Sequence, residues 1–255
     1  MDLGIRGKVA LVTGASSGIG EAVALALACE GAKLAVAARR KEKLEEVARK
    51  ARSLGAPEAL ALTADQTDGE SLQRLVREVE ERLGAPEILV VNGGGPRPGT
   101  WTQMKPADWD AAYALTFRSA LRLVDAALPR MRERRWGRIV ALESISVKEP
   151  IPALILSNAF RTAVVAALKT LAAEVAAEGV TVNAIATGLV ETDRFRTLYD
   201  TEEKRRNAVA PIPLRRPATP AEFAPLVAFL CGEGARYVTG QTISIDGGRT
   251  SSLFG

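Results

Sequence analysis

The sequence contains no histidine and only two cysteines. Without histidine, Ser-His-Asp and Cys-His nucleophile schemes, His-ligated metal sites and His-based proton transfer are excluded. The cysteines, Cys29 and Cys231, lie in apolar runs without Cys-x-x-Cys spacing. We therefore predict no disulfide framework and no metal site, and we expect both thiols to be buried spacers.

Long hydrophobic runs are also missing. No segment reaches the ~18 uninterrupted apolar residues of a membrane-spanning helix. The first residues, MDLGIRGKVALVTG, lack a long apolar core with a small-residue cleavage site. We expect neither secretion nor a membrane partner, and a cytoplasmic protein is the default.

No block of basic charge is present. The 34 Lys and Arg residues are interleaved with 30 Asp and Glu residues, for a formal net charge of +4. This pattern indicates a solvated surface and argues against a nucleic-acid partner.

Short apolar, β-branched runs alternate with longer amphipathic ones along the whole chain. The apolar runs are continuous, which is typical of parallel strands covered on both faces. No Pro/Gly-rich linker or internal repeat divides them. We predict one α/β domain over residues 1–255, a Rossmann fold with a doubly wound parallel sheet of about seven strands flanked by helices. The predicted strands are Val9–Val12, Leu34–Ala37, Leu60–Leu62, Ile88–Val91, Ile139–Leu142, Val180–Ile185 and Thr242–Ile245.

A glycine-rich loop, TGASSGIG at residues 13–20, directly follows the first predicted strand and leads into a helix. Glycines there permit a tight turn and close backbone approach, so a dinucleotide pyrophosphate can meet the free N–H groups of the helix N-terminus. A purely structural turn is the alternative. The strand-turn-helix context favours the phosphate loop.

The GxxxGxG spacing resembles that of the short-chain dehydrogenase/reductase family, and further stretches match in order along nearly the whole chain. Within the family, the sequence is most similar to bacterial 3-oxoacyl-acyl-carrier-protein reductases. The matching stretches are Ala64-Asp65-Gln66, Asn92-Gly93-Gly94, Ser144, TGLVET at residues 187–192 and GQTISIDGG at residues 240–248.

The resemblance implies a set of cofactor-binding residues. Two of them have structural alternatives: Asp65 as a turn residue that starts a helix, and Thr192 as the cap of the next helix. The implied phosphate-binding residues are Gly14, Ser16, Ser17, Ile19 and Gly20; Asp65 and Gln66 would flank the adenine, Asn92 and Gly94 the adenosine ribose, and Gly188, Val190 and Thr192 the nicotinamide end.

The end of the second strand favours NADP(H) over NAD(H). A carboxylate there would bond a ribose 2′-hydroxyl and repel a 2′-phosphate, but Ala38 occupies that position. Arg39 follows and can pair with a phosphate in bidentate fashion. Alternatively, Arg39 and Arg40 belong to a solvated face that continues into the next helix.

The hexapeptide LSNAFR, residues 156–161, opens an apolar helix with Ser157 and Arg161 one turn apart. Ungapped alignment to the family tetrad of Asn, Ser, Tyr and Lys retains the serine as Ser144. It places Ser157 at the tyrosine position, Arg161 at the lysine position and Thr116 at the asparagine position. The family motif Tyr-x-x-x-Lys is thus Ser-x-x-x-Arg.

These replacements predict an atypical active site in which Ser144, Ser157 and Arg161 are the catalytic candidates. A serine hydroxyl can hydrogen-bond a carbonyl but is a poor proton donor, whereas Arg161 can hold the nicotinamide ribose and supply positive charge. Strand alternation turns Glu143 away from the face that shows Ser144, which favours an exposed or core-edge carboxylate over a proton donor. Tyr113 is expected to pack, and a water held by both serines remains an alternative.

Two functions stay open. The first is an NADP(H)-dependent oxidoreductase that moves hydride between nicotinamide and a small carbonyl or alcohol substrate. The second is a catalytically weak dinucleotide-binding protein that acts as a sensor or oligomer partner. The family implies a homodimer or homotetramer and a mobile substrate flap around residues 189–210, while Arg97, Arg194 and Arg196 leave an anionic ligand open.

Overall fold

A computed structural model describes residues 2–253. Within this range, seven parallel strands form one sheet in the order β3-β2-β1-β4-β5-β6-β7. The strands are β1 (Val9–Thr13), β2 (Lys33–Ala38), β3 (Ala59–Thr63), β4 (Ile88–Val91), β5 (Gly137–Ser144), β6 (Val180–Thr187) and β7 (Thr242–Ile245).

Helices cover both faces of the sheet. They are α1 (Gly18–Cys29), α2 (Lys41–Leu54), α3 (Gly69–Leu83), α4 (Pro106–Ala112), α5 (Ser119–Arg134), α6 (Ile155–Val175), α7 (Asp193–Leu198), α8 (Glu202–Val209) and α9 (Pro220–Leu230). Buried side chains of α1, α2 and α9 form one core cluster against the sheet, and those of α3, α5 and α6 form the other. Because both faces are covered, β1, β4, β5 and β6 are buried almost throughout.

The predicted doubly wound parallel sheet is confirmed, and each predicted strand lies within an observed one. β5 and β6 run two residues further than predicted, to Ser144 and Thr187, which are paired in register. The apolar pattern ends earlier because these last residues are polar, whereas the backbone ladder does not depend on side-chain polarity. The extension matters because it holds Ser144 rigidly on a strand.

Two local features of the helices position side chains near the carboxyl edge of the sheet. α6 begins at Ile155, so Ser157 and Arg161 lie in its first two turns, as the spacing predicts. A π-helical turn, Tyr113–Arg118, joins α4 to α5 and contains Thr116. Tyr113 stacks on Phe117 with ring centroids 5.7 Å apart, which agrees with the expected packing role.

The segment expected to form a flap contains α7 and α8. Phe195 is buried and its ring lies 5.0 Å from that of Tyr199, whereas Leu198 is exposed. A small apolar contact therefore holds α7 against the chain that follows it, and closure of the segment over a substrate stays a prediction. No helix within residues 2–253 combines the length and the apolar character needed to cross a bilayer.

The two thiols differ in exposure. Cys231 is buried, but Cys29 is exposed at the last position of α1, so the expectation that both are buried is wrong for Cys29. The apolar run that contains Cys29 is amphipathic, and its final residue faces solvent. Burial raises the pKa of the Cys231 thiol to about 12.

We expect a thiol-reactive chromogenic disulfide to modify one cysteine of the native protein rapidly and the second only after unfolding, because the thiolate is the reactive form. Cys29→Ser should abolish the fast phase, and Cys231→Ser should leave it unchanged. Rapid modification of both thiols in the folded wild type would contradict the burial of Cys231.

Candidate dinucleotide-binding and active site

The candidate site lies at the carboxyl edge of the sheet. From β1 the chain winds outward through β2 and β3, and it then returns to place β4 on the other side of β1. This reversal opens a crevice between the loops that follow β1 and β4, which is where doubly wound folds bind ligands. The predicted site residues follow β1, β2, β3, β4, β5 and β6, so the fold brings their loops to one edge.

The loop after β1 is packed so tightly that only glycine fits at its last position. A Cβ on Gly20 would overlap the carbonyl oxygen of Gly14 and lie 2.6 Å from Asn92 Nδ2. α1 begins at Gly18, and the Ser17 side chain makes no capping hydrogen bond to the first turn. The first backbone N–H groups of α1 therefore have no side-chain acceptor, which fits an anionic ligand.

Asn92 ties together three of the loops at this edge. Its side-chain amide donates to the Gly14 carbonyl oxygen at 3.1 Å, and its backbone exchanges hydrogen bonds with the Thr13 hydroxyl. The Gln66 amide donates to the Asn92 carbonyl oxygen at 2.7 Å. A Cβ on Gly94 would meet no atom within 4 Å, so this backbone is open to the crevice. Ile19 is partly buried and packs against the core, and its role at the phosphates stays a prediction.

The two arginines after β2 turn in different directions. Arg40 donates hydrogen bonds to the hydroxyls of Ser16 at 3.0 Å and Ser17 at 2.7 Å. Arg39 lines a cleft of about 470 Å³ together with Asp65. The role predicted for Arg39 stays a prediction, and the contact of Arg40 with the phosphate-loop serines was not predicted. The signal was present in the sequence, because consecutive arginines at the end of a β-strand project to opposite sides.

Asp65 acts as a turn residue, which was one of its two expected roles. Hydrogen bonds from the Thr67 backbone and hydroxyl, at 2.8 and 2.7 Å, lower the pKa of the Asp65 carboxyl, with a smaller contribution from the charge of Arg39. The cap of α3 is Asp68, three residues later. Asp65 remains exposed beside Arg39, at the position where the resemblance implies an adenine.

Ser144 presents its hydroxyl at the carboxyl end of β5, and Ser157 lies in the first turn of α6. The Ser144 hydroxyl oxygen accepts a hydrogen bond from the Ser146 backbone N–H at 3.1 Å, so its own proton stays available. Ser157 is 8% exposed, and its hydroxyl has no hydrogen-bond partner within residues 2–253. The hydroxyl of Thr116 is likewise buried without a partner in that range.

Arg161 forms a buried ion pair with Glu143. Its Nη1 lies 2.9 Å from Glu143 Oε2 and 3.2 Å from the Leu142 carbonyl oxygen. The exposed fractions of the two side chains are 11% and 4%. Burial raises the pKa of Glu143, and the positive charge of Arg161 opposes this rise. The expectation of an exposed or core-edge carboxylate is therefore corrected: α6 covers Glu143 and supplies its counter-charge.

The loop after β6 reaches the phosphate loop. The Gly188 N–H donates to the Ile245 carbonyl oxygen at 2.9 Å, and Val190 is buried beside Ala218. The Thr192 hydroxyl accepts from the Phe195 N–H at 3.3 Å, so Thr192 does cap α7. Its methyl group lies 3.0 Å from the place where a Cβ on Gly18 would be. The cap role and a position facing the crevice are thus compatible.

Arg97 is held away from the centre of the crevice. It donates to Asp108 at 3.2 Å and to the Gln103 carbonyl oxygen at 3.2 Å. Arg196 pairs with Glu191 and Asp193. These ion pairs offset the charge of both guanidinium groups, which weakens the expectation that either binds a substrate anion.

Known proteins resemble the chain over almost its entire length. The family described as enoyl-(acyl carrier protein) reductase matches residues 14–250. The 3-oxoacyl-[acyl-carrier-protein] reductase FabG of Staphylococcus aureus is 35% identical over 242 residues, which cover 94% of this chain and 97% of that protein. Nodulation protein G of Azospirillum brasilense is 37% identical over 246 residues, covering 94% and 97%.

Solved structures give the same picture. L-sorbose reductase from Gluconobacter frateurii, complexed with NADPH and L-sorbose, superposes with a TM-score of 0.94 at 32% identity, covering 99% of this chain and 100% of that one. Actinorhodin polyketide ketoreductase with NADPH superposes with a TM-score of 0.91 at 34% identity, covering 96% of this chain and 98% of that one. Together with the sheet order and the glycine loop, these matches show that the chain belongs to the short-chain dehydrogenase/reductase family.

Proposed function

We propose that this protein is an NADP(H)-dependent oxidoreductase that transfers hydride between nicotinamide and a small carbonyl or alcohol substrate. The observation that carries the proposal is the phosphate loop, in which Gly20 packs on Gly14 and Asn92 while the first turn of α1 has no side-chain acceptor. The residues present fit a dinucleotide: Ser16 and Ser17 with the α1 N-terminus would hold the pyrophosphate, and Arg161 with Gly188 and Thr192 would hold the nicotinamide end. Relatives whose structures contain NADPH support it.

The active site of this proposal is atypical. Ser144 keeps the family serine, while Ser157, Arg161 and Thr116 occupy the positions of tyrosine, lysine and asparagine. In support, Ser157 and Arg161 lie one turn apart at the start of α6, and Arg161 bonds the carbonyl oxygen of Leu142 on the strand that ends at Ser144. Ser144 and Arg161 thus lie at the same end of β5, with Ser157 one turn before Arg161, and a carbonyl substrate would meet them there.

Bound nicotinamide would supply or accept the hydride. The Ser144 and Ser157 hydroxyls would donate hydrogen bonds to the substrate carbonyl oxygen and so stabilise developing negative charge. Arg161 would add positive charge beside the nicotinamide ribose. The proton for the nascent alkoxide would come from solvent through a water held by the two serines, and the hydroxide left behind would exchange with bulk water. Water and a serine hydroxyl are both far weaker acids than a phenol, so this proton transfer would be slow. We therefore propose a slow reductase.

The test combines binding with turnover. NADPH fluorescence titration of the purified protein should show saturable binding, and incubation with NADPH and a panel of small aldehydes and ketones should show cofactor oxidation above the protein-free rate. Tight binding without oxidation would contradict the reductase and support the second function, a dinucleotide-binding sensor or oligomer partner. The replaced tyrosine and lysine positions are the observation that favours this second function. Absence of binding would contradict both.

We propose a preference for NADP(H) because Arg39 and Arg40 follow β2 and no carboxylate occupies position 38 at its end. Ala38 cannot repel a 2′-phosphate, Arg40 contacts the phosphate-loop serines, and Arg39 lines a cleft beside Asp65. We predict that Arg39→Met/Arg40→Met weakens NADPH binding by roughly 100-fold and NADH binding by less than about threefold, because charge-assisted hydrogen bonds to a phosphate are lost. Fluorescence titration with both nucleotides measures the ratio.

Arg49→Met is the matched control for this prediction. Arg49 is an exposed arginine of α2 away from the phosphate loop, so its replacement should leave both affinities unchanged. Equal losses for NADH and NADPH in the double variant would contradict a 2′-phosphate role.

We also propose that the protein assembles as a homodimer or homotetramer. An aromatic cluster lies beside the first turns of α6: Trp109 packs edge-on against Phe160 at 6.0 Å, and Trp101 contacts Trp109 while remaining 72% exposed. Exposed aromatic side chains are typical of association surfaces. Light scattering of the wild type should give a multiple of the 27.1 kDa chain mass; a monomer at micromolar concentration would contradict this.

A further inference from the structure

The side chain of Arg194 crosses the crevice above the end of β5. Arg194 belongs to α7, in the segment that follows β6, and its Nη1 lies 3.4 Å from the carbonyl oxygen of Gly95, in the loop that follows β4. β5 lies between β4 and β6 in the sheet. A contact between the two flanking loops therefore passes over the carboxyl end of β5, where Ser144 presents its hydroxyl.

The loop after β4 leaves room for this guanidinium. A Cβ on Gly95 would lie 2.7 Å from Arg194 Nη2 and 3.0 Å from Cζ. Any larger residue at position 95 would push the group away from the loop. The position of the Arg194 guanidinium therefore depends on the absence of a side chain at Gly95.

The charge of Arg194 is not offset by the protein. No carboxylate within residues 2–253 forms an ion pair with it, although Arg196 on the same short helix has two such partners. A second guanidinium, Arg161, is close enough to act on it: desolvation and then the positive charge of Arg161 lower the pKa of Arg194. The charge of Arg161 is itself offset by Glu143.

The unpaired positive charge of Arg194 favours an anionic ligand in the crevice. Two guanidinium groups lie near the end of β5, and a single carboxylate, Glu143, is paired with one of them, Arg161. The crevice therefore carries an excess of positive charge at the place where the proposed chemistry occurs. A neutral polyol or ketone would offer the Arg194 guanidinium no counter-charge. A carboxylate or phosphate would pair with it in the bidentate geometry that arginine favours.

We infer that the substrate is an anionic carbonyl compound, an oxo acid or a phosphorylated ketone, whose anionic group pairs with Arg194 while its carbonyl oxygen meets the hydroxyls of Ser144 and Ser157. This inference rests on the proposed function. It makes Arg194 the residue that selects the substrate, with Gly95 providing the space in which the guanidinium is held.

The test is calorimetric binding to the protein in the presence of saturating NADP⁺, which requires no turnover. The probes are pyruvate, acetoacetate and levulinate, each against its methyl ester, and dihydroxyacetone phosphate against dihydroxyacetone. Each pair differs in the anionic group and keeps the carbonyl. At least one anion should bind the wild type roughly 10- to 100-fold more tightly than its neutral partner, the ratio expected for a hydrogen-bonded charge pair.

Arg194→Met should abolish that ratio and leave the NADPH affinity unchanged, because an exposed side chain of α7 can be replaced without disturbing the core. Arg194→Lys should retain part of the anion preference, since the positive charge remains but the bidentate geometry of the guanidinium is lost. Arg196→Met is the matched control and should keep the full ratio. Thermal melting of each variant shows that the fold is intact.

The outcomes separate this inference from the function on which it rests. A wild type that fails to bind NADPH overturns the proposed function and the inference with it. NADPH binding with equal affinity for anions and neutral partners, or an anion preference that survives in Arg194→Met, overturns the inference alone. The acid and phosphate arms identify which anion the crevice takes.

Discussion

Replacing Glu143 with alanine is expected to lower the free energy of unfolding by about 3–5 kcal/mol, because the change leaves the Arg161 guanidinium buried without its counter-charge. The two side chains are 4% and 11% exposed and their charged atoms lie 2.9 Å apart. Water cannot readily replace the carboxylate at this depth. Urea denaturation of the wild type and Glu143→Ala, with equal slopes, measures the difference.

A double variant separates the ion pair from the cavity. Glu143→Ala/Arg161→Met removes both charges, so it should recover part of the stability lost in Glu143→Ala, whereas two independent sites would give additive losses. Glu45→Ala is the surface control: its pairing with Lys41 is exposed and contributes little. A loss below about 1 kcal/mol for Glu143→Ala would mean that the pair is solvated, contrary to the burial described.

Under the proposed alignment of Ser157 and Arg161 with the family tyrosine and lysine, introducing those two residues is expected to raise the reductase rate. Ser157→Tyr/Arg161→Lys should increase kcat by about 10²–10⁴ on whichever carbonyl the wild type reduces, because a positioned general acid typically contributes that factor. The lysine retains a positive charge opposite Glu143 and lowers the pKa of the introduced phenol toward neutrality. Steady-state oxidation of NADPH, followed optically at fixed pH, measures the change.

The single variants show which group limits the reaction. Ser157→Tyr alone should give most of the gain if the arginine already provides charge, and Arg161→Lys alone should give little. The double variant should also make kcat dependent on pH near the phenol pKa, which no group of the serine site would do. An unchanged kcat in a folded double variant that still binds NADPH would contradict the proposal that proton donation is the slow step.

Much of this architecture could be predicted from local sequence because strand and helix signals are periodic. The run from Val9 to Val12, followed by TGASSGIG and an alanine-rich segment, specifies a strand, a tight turn and a helix without reference to the rest of the chain. The same holds for the helix that begins beside LSNAFR. For parallel strands with both faces covered, the rules for crossover connections then leave only a few possible strand orders.

Pairings between distant elements could not be predicted in this way. Glu143 was expected at an edge because strand alternation describes only the two faces of the sheet, and the covering of one face by α6 depends on tertiary packing. The contact between Arg194 and Gly95 joins residues 99 positions apart. The bonds from Arg40 to Ser16 and Ser17 depend on the approach of the β2 loop to the phosphate loop. The partner of a long side chain depends on which distant backbone segments the fold brings together, and local sequence patterns do not specify this.

The central claim is that the crevice at the carboxyl edge holds a nicotinamide nucleotide. A crystal structure of the protein with millimolar NADP⁺ tests it most directly. We predict the pyrophosphate over the loop from Ser16 to Gly20, the adenosine 2′-phosphate near the end of β2 in contact with Arg39 or Arg40, and the nicotinamide ribose beside Arg161. A crevice closed by the protein's own side chains, with no density for the nucleotide, would contradict the account.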